Sequence, residues 1–122
     1  AELAREGRDL DLDELRHPDG VIPKPYVTQV LEDAKGPFIG VTDFTRSVPE
    51  MIRPYVPGEY TTLGCDGFGF SDTRAAARRF FNSDAESVVV AVLSALARDH
   101  QLSWDTVKKA AEDFHLNDPT KA

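Results

Sequence analysis

The residues of this chain with the most chemistry to offer crowd into one stretch, Gly64-Cys65-Asp66-Gly67-Phe68-Gly69-Phe70-Ser71-Asp72-Thr73-Arg74, which carries three glycines, two aspartates and two phenylalanines between a strand-like and a helix-like run. Glycine permits positive φ and close backbone approach, and Ser71 and Asp72 have side chains that accept from the free N–H groups opening a helix. Such a turn can cradle a phosphate on backbone N–H groups. The glycines, however, run G-x-x-G-x-G, the reverse of the dinucleotide fingerprint. No Lys-Ser or Lys-Thr follows, and Asp66 and Asp72 repel an anion. That leaves a structural turn, an interface, or the border of an active site.

Other chemistries meet a plainer explanation. Cys65 is a nucleophile only beside a base and within reach of solvent, and a packed thiol accounts for it as well. Asp66 and Asp72 form an acid/base pair only if something separates their pKa values, and nothing in the sequence does so. Phe68 and Phe70 suit either a substrate tunnel or a hydrophobic anchor for their loop. His17, His100 and His115 stand far apart with no ligand spacing and read as surface or helix-end histidines, His17 being held by Pro18 where a domain boundary could lie. No metal constellation is visible.

Composition bounds the rest. The 122 residues suffice for one core, and 41% apolar with 29% charged residues describes a globular chain. Twenty-one acids against fourteen bases, a net charge of −7, disfavour nucleic acid, so Arg74, Arg78 and Arg79 read as a solvated helix face. The single cysteine excludes an internal disulfide and a multi-cysteine zinc site, and makes the cytoplasm the natural compartment. No secretory leader is visible at the first residues. The longest apolar run, 88–93, falls far short of the roughly 20 residues a spanning helix needs, so no membrane role is expected.

These residues need elements to hold them. Residues 1–20 carry nine mixed charges from Glu2 to Arg16 with scattered leucines, and read as an exposed arm or short helical pieces leading into a domain over 21–122. Pro23 and Pro25 approach a helix over about 25–34 that should bury Tyr26, Val27, Val30 and Leu31. Lys35-Gly36-Pro37 stops it, and Phe38-Ile39-Gly40-Val41-Thr42 suits a buried strand. Ser47-Val48-Pro49-Glu50 has the form of a capping box, predicting a helix through Met51, Ile52 and Tyr55. A second strand over 59–63 then completes a parallel crossover unit, right-handed by the usual rule. After the glycine loop, 73–81 should be helical, with Ala77, Phe80 and Phe81 as its apolar contacts. Ser83-Asp84-Ala85-Glu86 reads as another capping box, opening a deeply buried helix to Ala97. Ser103 caps a last helix with Trp104, Val107, Ala111 and Phe114 on its core face. Two parallel strands among these helices leave strand edges open, so a further strand is expected.

Taken together, Glu2-Leu3-Ala4-Arg5-Glu6-Gly7, His17-Pro18, Pro25-Tyr26-Val27-Thr28-Gln29-Val30, Thr42-Asp43, Tyr55-Val56-Pro57, the loop from Leu63 to Asp72 and Val88-Val89-Val90-Ala91 resemble the C-terminal end of the homodimeric pyruvate dehydrogenase component of bacterial pyruvate dehydrogenase complexes, with the actinobacterial members most similar. Cys65 departs from the threonine usual in that pattern. The resemblance implies a transketolase C-terminal-like α/β domain, three-layered, with a mostly parallel sheet flanked by helices, whose first strand precedes the Glu2-Leu3-Ala4 region and is missing from this chain. It also implies thiamine diphosphate and magnesium bound outside this segment, pyruvate as substrate, a homodimer, and a dihydrolipoyl acyltransferase partner whose lipoyl group is reductively acetylated. On this reading the segment holds no catalytic, cofactor or metal residue. Gly64, Asp66, Gly67, Phe68, Gly69, Ser71 and Asp72 form a family loop with a structural or interface role. The competing expectation is a non-catalytic interaction or regulatory module acting alone, against which the open strand edges argue.

Overall fold

The computed structural model describes residues 1–67 and 73–118. Helix α1 spans Glu2–Arg16, one continuous helix where the charge pattern allowed only an arm or short pieces. Ala4 and Gly7 lie on its buried stripe. At Gly7 the missing side chain is required, because a Cβ there would clash with the edge of the Tyr55 ring. The Tyr55 hydroxyl donates to Asp11 at 2.8 Å, and Glu6 accepts from the Tyr26 N–H at 3.0 Å. Glu6 thus caps α2 (Tyr26–Leu31), whose own N-cap residue, Pro25, makes no side-chain cap. Helix α2 buries Val27 and leaves Tyr26 and Val30 exposed, contrary to the four-residue core face expected of it.

Strand β1 (Phe38–Thr45) pairs in parallel with β2 (Tyr60–Cys65), as the crossover pattern predicts. Both are half-buried rather than fully enclosed. The connection between them differs from the expected capped helix. Helix α3 covers only Ser47–Glu50, with Arg46 at the N-cap and no side-chain cap, and a separate 3-10 turn follows at Arg53–Tyr55. The Ser47 hydroxyl sits 3.0 Å from that of Thr45. Glu50 turns toward Arg53, because a guanidinium three residues on competes with the backbone N–H for its carboxylate.

Helix α4 (Arg74–Phe80) is capped by Thr73, whose hydroxyl accepts from the Ala76 N–H at 3.3 Å. Helix α5 (Ala85–Arg98) is capped by Asp84, one residue later than the Ser83 box, with the Ser87 N–H donating at 3.1 Å. Helix α6 (Trp104–Asp113) is capped by Ser103 as expected. The stretch Arg74–Arg98 has the length and hydropathy to cross a membrane. The turn at 81–84, with Asn82 at φ 56°, divides it into helices of seven and fourteen residues, each shorter than a span requires. Helix α5 packs against α6 and both strands, burying Ala95 and Ala97 while Val107 of α6 is buried too. Its expected deep burial does not hold: Val89 is 45% exposed, and Trp104, expected in the core, is 54% exposed. The contacts with α6 and the strands bury the small residues of α5 and leave these larger side chains on the outer surface.

Candidate functional site at the carboxyl edge of the strands

The two strands run in register from Phe38 opposite Tyr60 to Val41 opposite Leu63, and resume with Thr45 opposite Cys65. Residues 42–44 therefore face Gly64 alone. Such a bulge re-aims side chains next to it. It demands a glycine partner: a Cβ on Gly64 would lie 2.7 Å from Thr42 Cγ2, 3.1 Å from the Phe44 carbonyl oxygen and 3.2 Å from the Arg46 Cα. The Phe44 N–H donates to the Thr42 hydroxyl at 3.1 Å, and beyond the bulge the Arg46 N–H donates to the Cys65 carbonyl at 2.9 Å.

The bulge sends Asp43 toward α4, where Arg78 grips both carboxylate oxygens, Nε at 3.1 Å and Nη2 at 2.5 Å, with Arg74 at 4.0 Å. The Arg78 hydrogen bonds hold the Asp43 carboxyl below the usual carboxylate range. Arg46 reaches the other way, to Asp66 at 2.9 Å, and the Asp66 carboxylate raises the Arg46 pKa.

Behind Arg46 lies a denser knot. Glu50 accepts from Arg53 at 2.6 and 2.7 Å, from the buried Thr62 hydroxyl, and from Arg46 at 3.4 Å. These bonds, those of Arg53 first and Thr62 next, lower its pKa to about 2. Arg53 also donates to the Tyr60 carbonyl at 2.6 Å and lies 5.1 Å over the Tyr60 ring. A continuous chain of polar contacts thus joins the start of β2 to Asp66, just past its end.

Between the β1 bulge and α4 opens a cleft of about 290 Å³ lined by Asp43, Cys65, Ala77, Arg78 and Phe81 among others. The Cys65 thiol lies 3.8 Å from the Gly67 carbonyl. The carboxylate lining the cleft is bound to Arg78, which leaves it a poor general base for that thiol.

Of the loop residues singled out in the sequence, Gly64 is buried in β2, Asp66 is exposed and paired with Arg46, and Gly67 takes φ 74° with open space around its Cα. Phe68, Gly69, Phe70, Ser71 and Asp72 lie outside the described residues. His17, His100 and His115 are exposed, the last two just past the ends of α5 and α6. Arg79 is not part of a solvated face. It is 3% exposed and ion-paired to Asp84, donates to the Phe114 carbonyl at 2.7 Å, and lies 3.7 Å from Glu86. Burial pushes the Asp84 carboxyl up, and bonds from Ser87 and Arg79 outweigh it, holding it below the ordinary value. Sequence reasoning gave Glu50 only a capping role and Asp43 only a place in a family motif, and did not single out Arg46. The signal for Glu50 was present as acid–base spacings of three and four residues with Arg53 and Arg46.

Comparison with known proteins follows the same outline. The profile of the transketolase-like C-terminal domain family matches residues 5–84. The chain is 57% identical over 121 residues to a pyruvate dehydrogenase E1 component of Mycolicibacterium smegmatis, covering 99% of this chain and 13% of that protein. It is 55% identical over 121 residues to the E1 component of Mycobacterium tuberculosis, with the same coverage. Identity to the E1 component of Escherichia coli K12 is 39% over 117 residues, 95% of this chain and 13% of that one. The chain thus spans only 13% of the length of these relatives. A parallel strand pair joined by a short helical crossover, helices packed against it, and a profile match over residues 5–84 together make this chain a member of the transketolase-like C-terminal domain family.

Proposed function

We propose that this chain is the C-terminal segment of a thiamine-diphosphate-dependent pyruvate dehydrogenase E1 subunit, which decarboxylates pyruvate and reductively acetylates the lipoyl group of its dihydrolipoyl acyltransferase partner. The observation carrying this reading is identity of 57% over 99% of the chain to 13% of such a subunit. The segment's part is architectural. It supports the rest of its own subunit and a homodimer in the cytoplasm, and its exposed Val41, Phe44, Val48, Met51, Val89 and Trp104 supply apolar surface for that packing.

Thiamine diphosphate, when bound, supplies the carbanion chemistry, and the protein aligns it. The described residues do not fit a magnesium site: Asp43, Glu50, Asp66 and Asp84 each give carboxylate oxygens to an arginine. On this reading the cofactor ligands belong to the remainder of the subunit. Isothermal titration of thiamine diphosphate and magnesium into this chain by itself should give no heat of binding, and a micromolar site would overturn the assignment. The full-length protein should reduce a lipoyl domain in a pyruvate-dependent way. Failure to do so with cofactor bound would remove the E1 reading altogether.

A further inference from the structure

The two ion pairs at the carboxyl edge share an arrangement that goes beyond the family assignment. Asp43 and Arg46 both come from the β1 bulge and its continuation. Their partners, Arg78 and Asp66, stand on either side of the connection that leaves β2 and enters α4. The charges are crossed: the acid of β1 holds the far flank, and its base holds the near flank. The bulge exists only because Gly64 is bare, so one glycine sets the aim of both side chains.

We propose that Asp43 and Arg46 are positioning residues, a matched pair of staples through which the Gly64 bulge fixes the two flanks of the β2–α4 connection at the carboxyl edge. The pairs have complementary strengths. Asp43–Arg78 is a two-point grip, which fixes orientation as well as distance. Arg46–Asp66 is a single contact, but its guanidinium is steadied from behind by Glu50. Either staple alone leaves one flank free to move, so the pair acts as a unit. The crossed order also rules out a swap, since Asp43 meets only repulsion from Asp66, and Arg46 only repulsion from Arg78.

Amide hydrogen exchange on the full-length protein tests this. The reporters are the Arg46 N–H, bound to the Cys65 carbonyl, and the Ala76 and Ala77 N–H groups, bound to Thr73; the control is the Phe114 N–H, bound to the Ala110 carbonyl. Asp43→Asn combined with Arg46→Gln should speed exchange at the reporters about tenfold, the release expected for two surface pairs acting together. The control should stay within about twofold. Reversing one pair, Asp43→Arg with Arg78→Asp, should restore slow exchange at Ala76 and Ala77, a rescue that loss of packing alone would not give. Unchanged reporters, or equal acceleration at the control, would overturn the proposal. Raising the ionic strength of the unmodified protein from about 0.05 M to about 1 M probes the same pairs without a substitution, because screening weakens exposed pairs selectively. Exchange at the reporters should then rise against the control, and a flat response would also overturn it.

Discussion

Two arginine–carboxylate systems in this molecule use the same chemistry on opposite sides of the water boundary. Around Arg79 the guanidinium is buried with Asp84 largely covered beside it, and this one side chain joins the end of α4, the cap of α5 and the last turn of α6. At the β1 bulge the pairs are exposed, Asp43 with Arg78 and Arg46 with Asp66. A buried pair contributes little over an apolar substitute but is severely destabilising when broken, because the abandoned charge has no water to turn to. An exposed pair contributes little either way and instead selects one geometry among several. The helical side therefore depends on its arginine for cohesion, and the strand edge depends on its arginines for aim.

The sharpest way to break this contrast is Arg79→Met, which leaves Asp84 only the Ser87 N–H and should lower unfolding stability of the full-length protein by about 3 kcal/mol in urea denaturation. A loss no larger than that of Asp43→Asn would erase the distinction. Gly64→Ala should come next, at about 2 kcal/mol, since two of the three atoms a Cβ would meet are backbone. If it proves neutral, the bulge does not need its glycine. Glu50→Gln should lose about 1 kcal/mol, as the Thr62 hydroxyl and two guanidiniums lose a charged acceptor. Glu50 also has a pH signature. Its folded pKa, about 2, lies below the ordinary 4.5, so its contribution is fully present above pH 4.5 and disappears as pH falls through 2. The variant should flatten the acid limb of the stability profile in that window, and an unchanged slope would show that Glu50 does not contribute to it. The smallest effect is a gain. His100 follows α5 at φ 58°, so His100→Gly should raise stability by about 0.5–1 kcal/mol. A loss there would mean that its imidazole makes a contact of value.

Much of the frame was legible in the sequence because local rules dominate it. Proline and glycine punctuation placed both strands within a residue or two at their starts, and Ser103 capped its helix as its type predicts. The errors have a common cause in competition from distant partners. Glu50 left its capping box for Arg53 and Thr62, and Arg79 was withdrawn from solvent by Asp84 and by a carbonyl thirty-five residues away. Helix α1 defeated the pattern because its buried stripe is built of Ala4 and Gly7, residues that carry no hydrophobic signal. The face of α5 bearing Val89 and the exposed Trp104 misled in the opposite way. Their apolar character says that something covers them without saying which element does. For the loop itself, the reason Gly64 must be bare could not be read from its neighbours, since it lies in a strand partner twenty residues earlier.

The bulge has one more effect, on self-association. An open strand edge is a template for unwanted pairing with another chain, and its danger grows with the length of uninterrupted ladder it offers. In β1 the regular register runs only over 38–41 before the backbone turns aside. That register is with β2, but a backbone that leaves regular extension at residues 42–44 leaves it along both of its edges, so a foreign strand at the other edge meets only a brief regular run before the bulge. The distortion that aims Asp43 therefore also acts as a brake on edge-to-edge aggregation while the edge is uncovered.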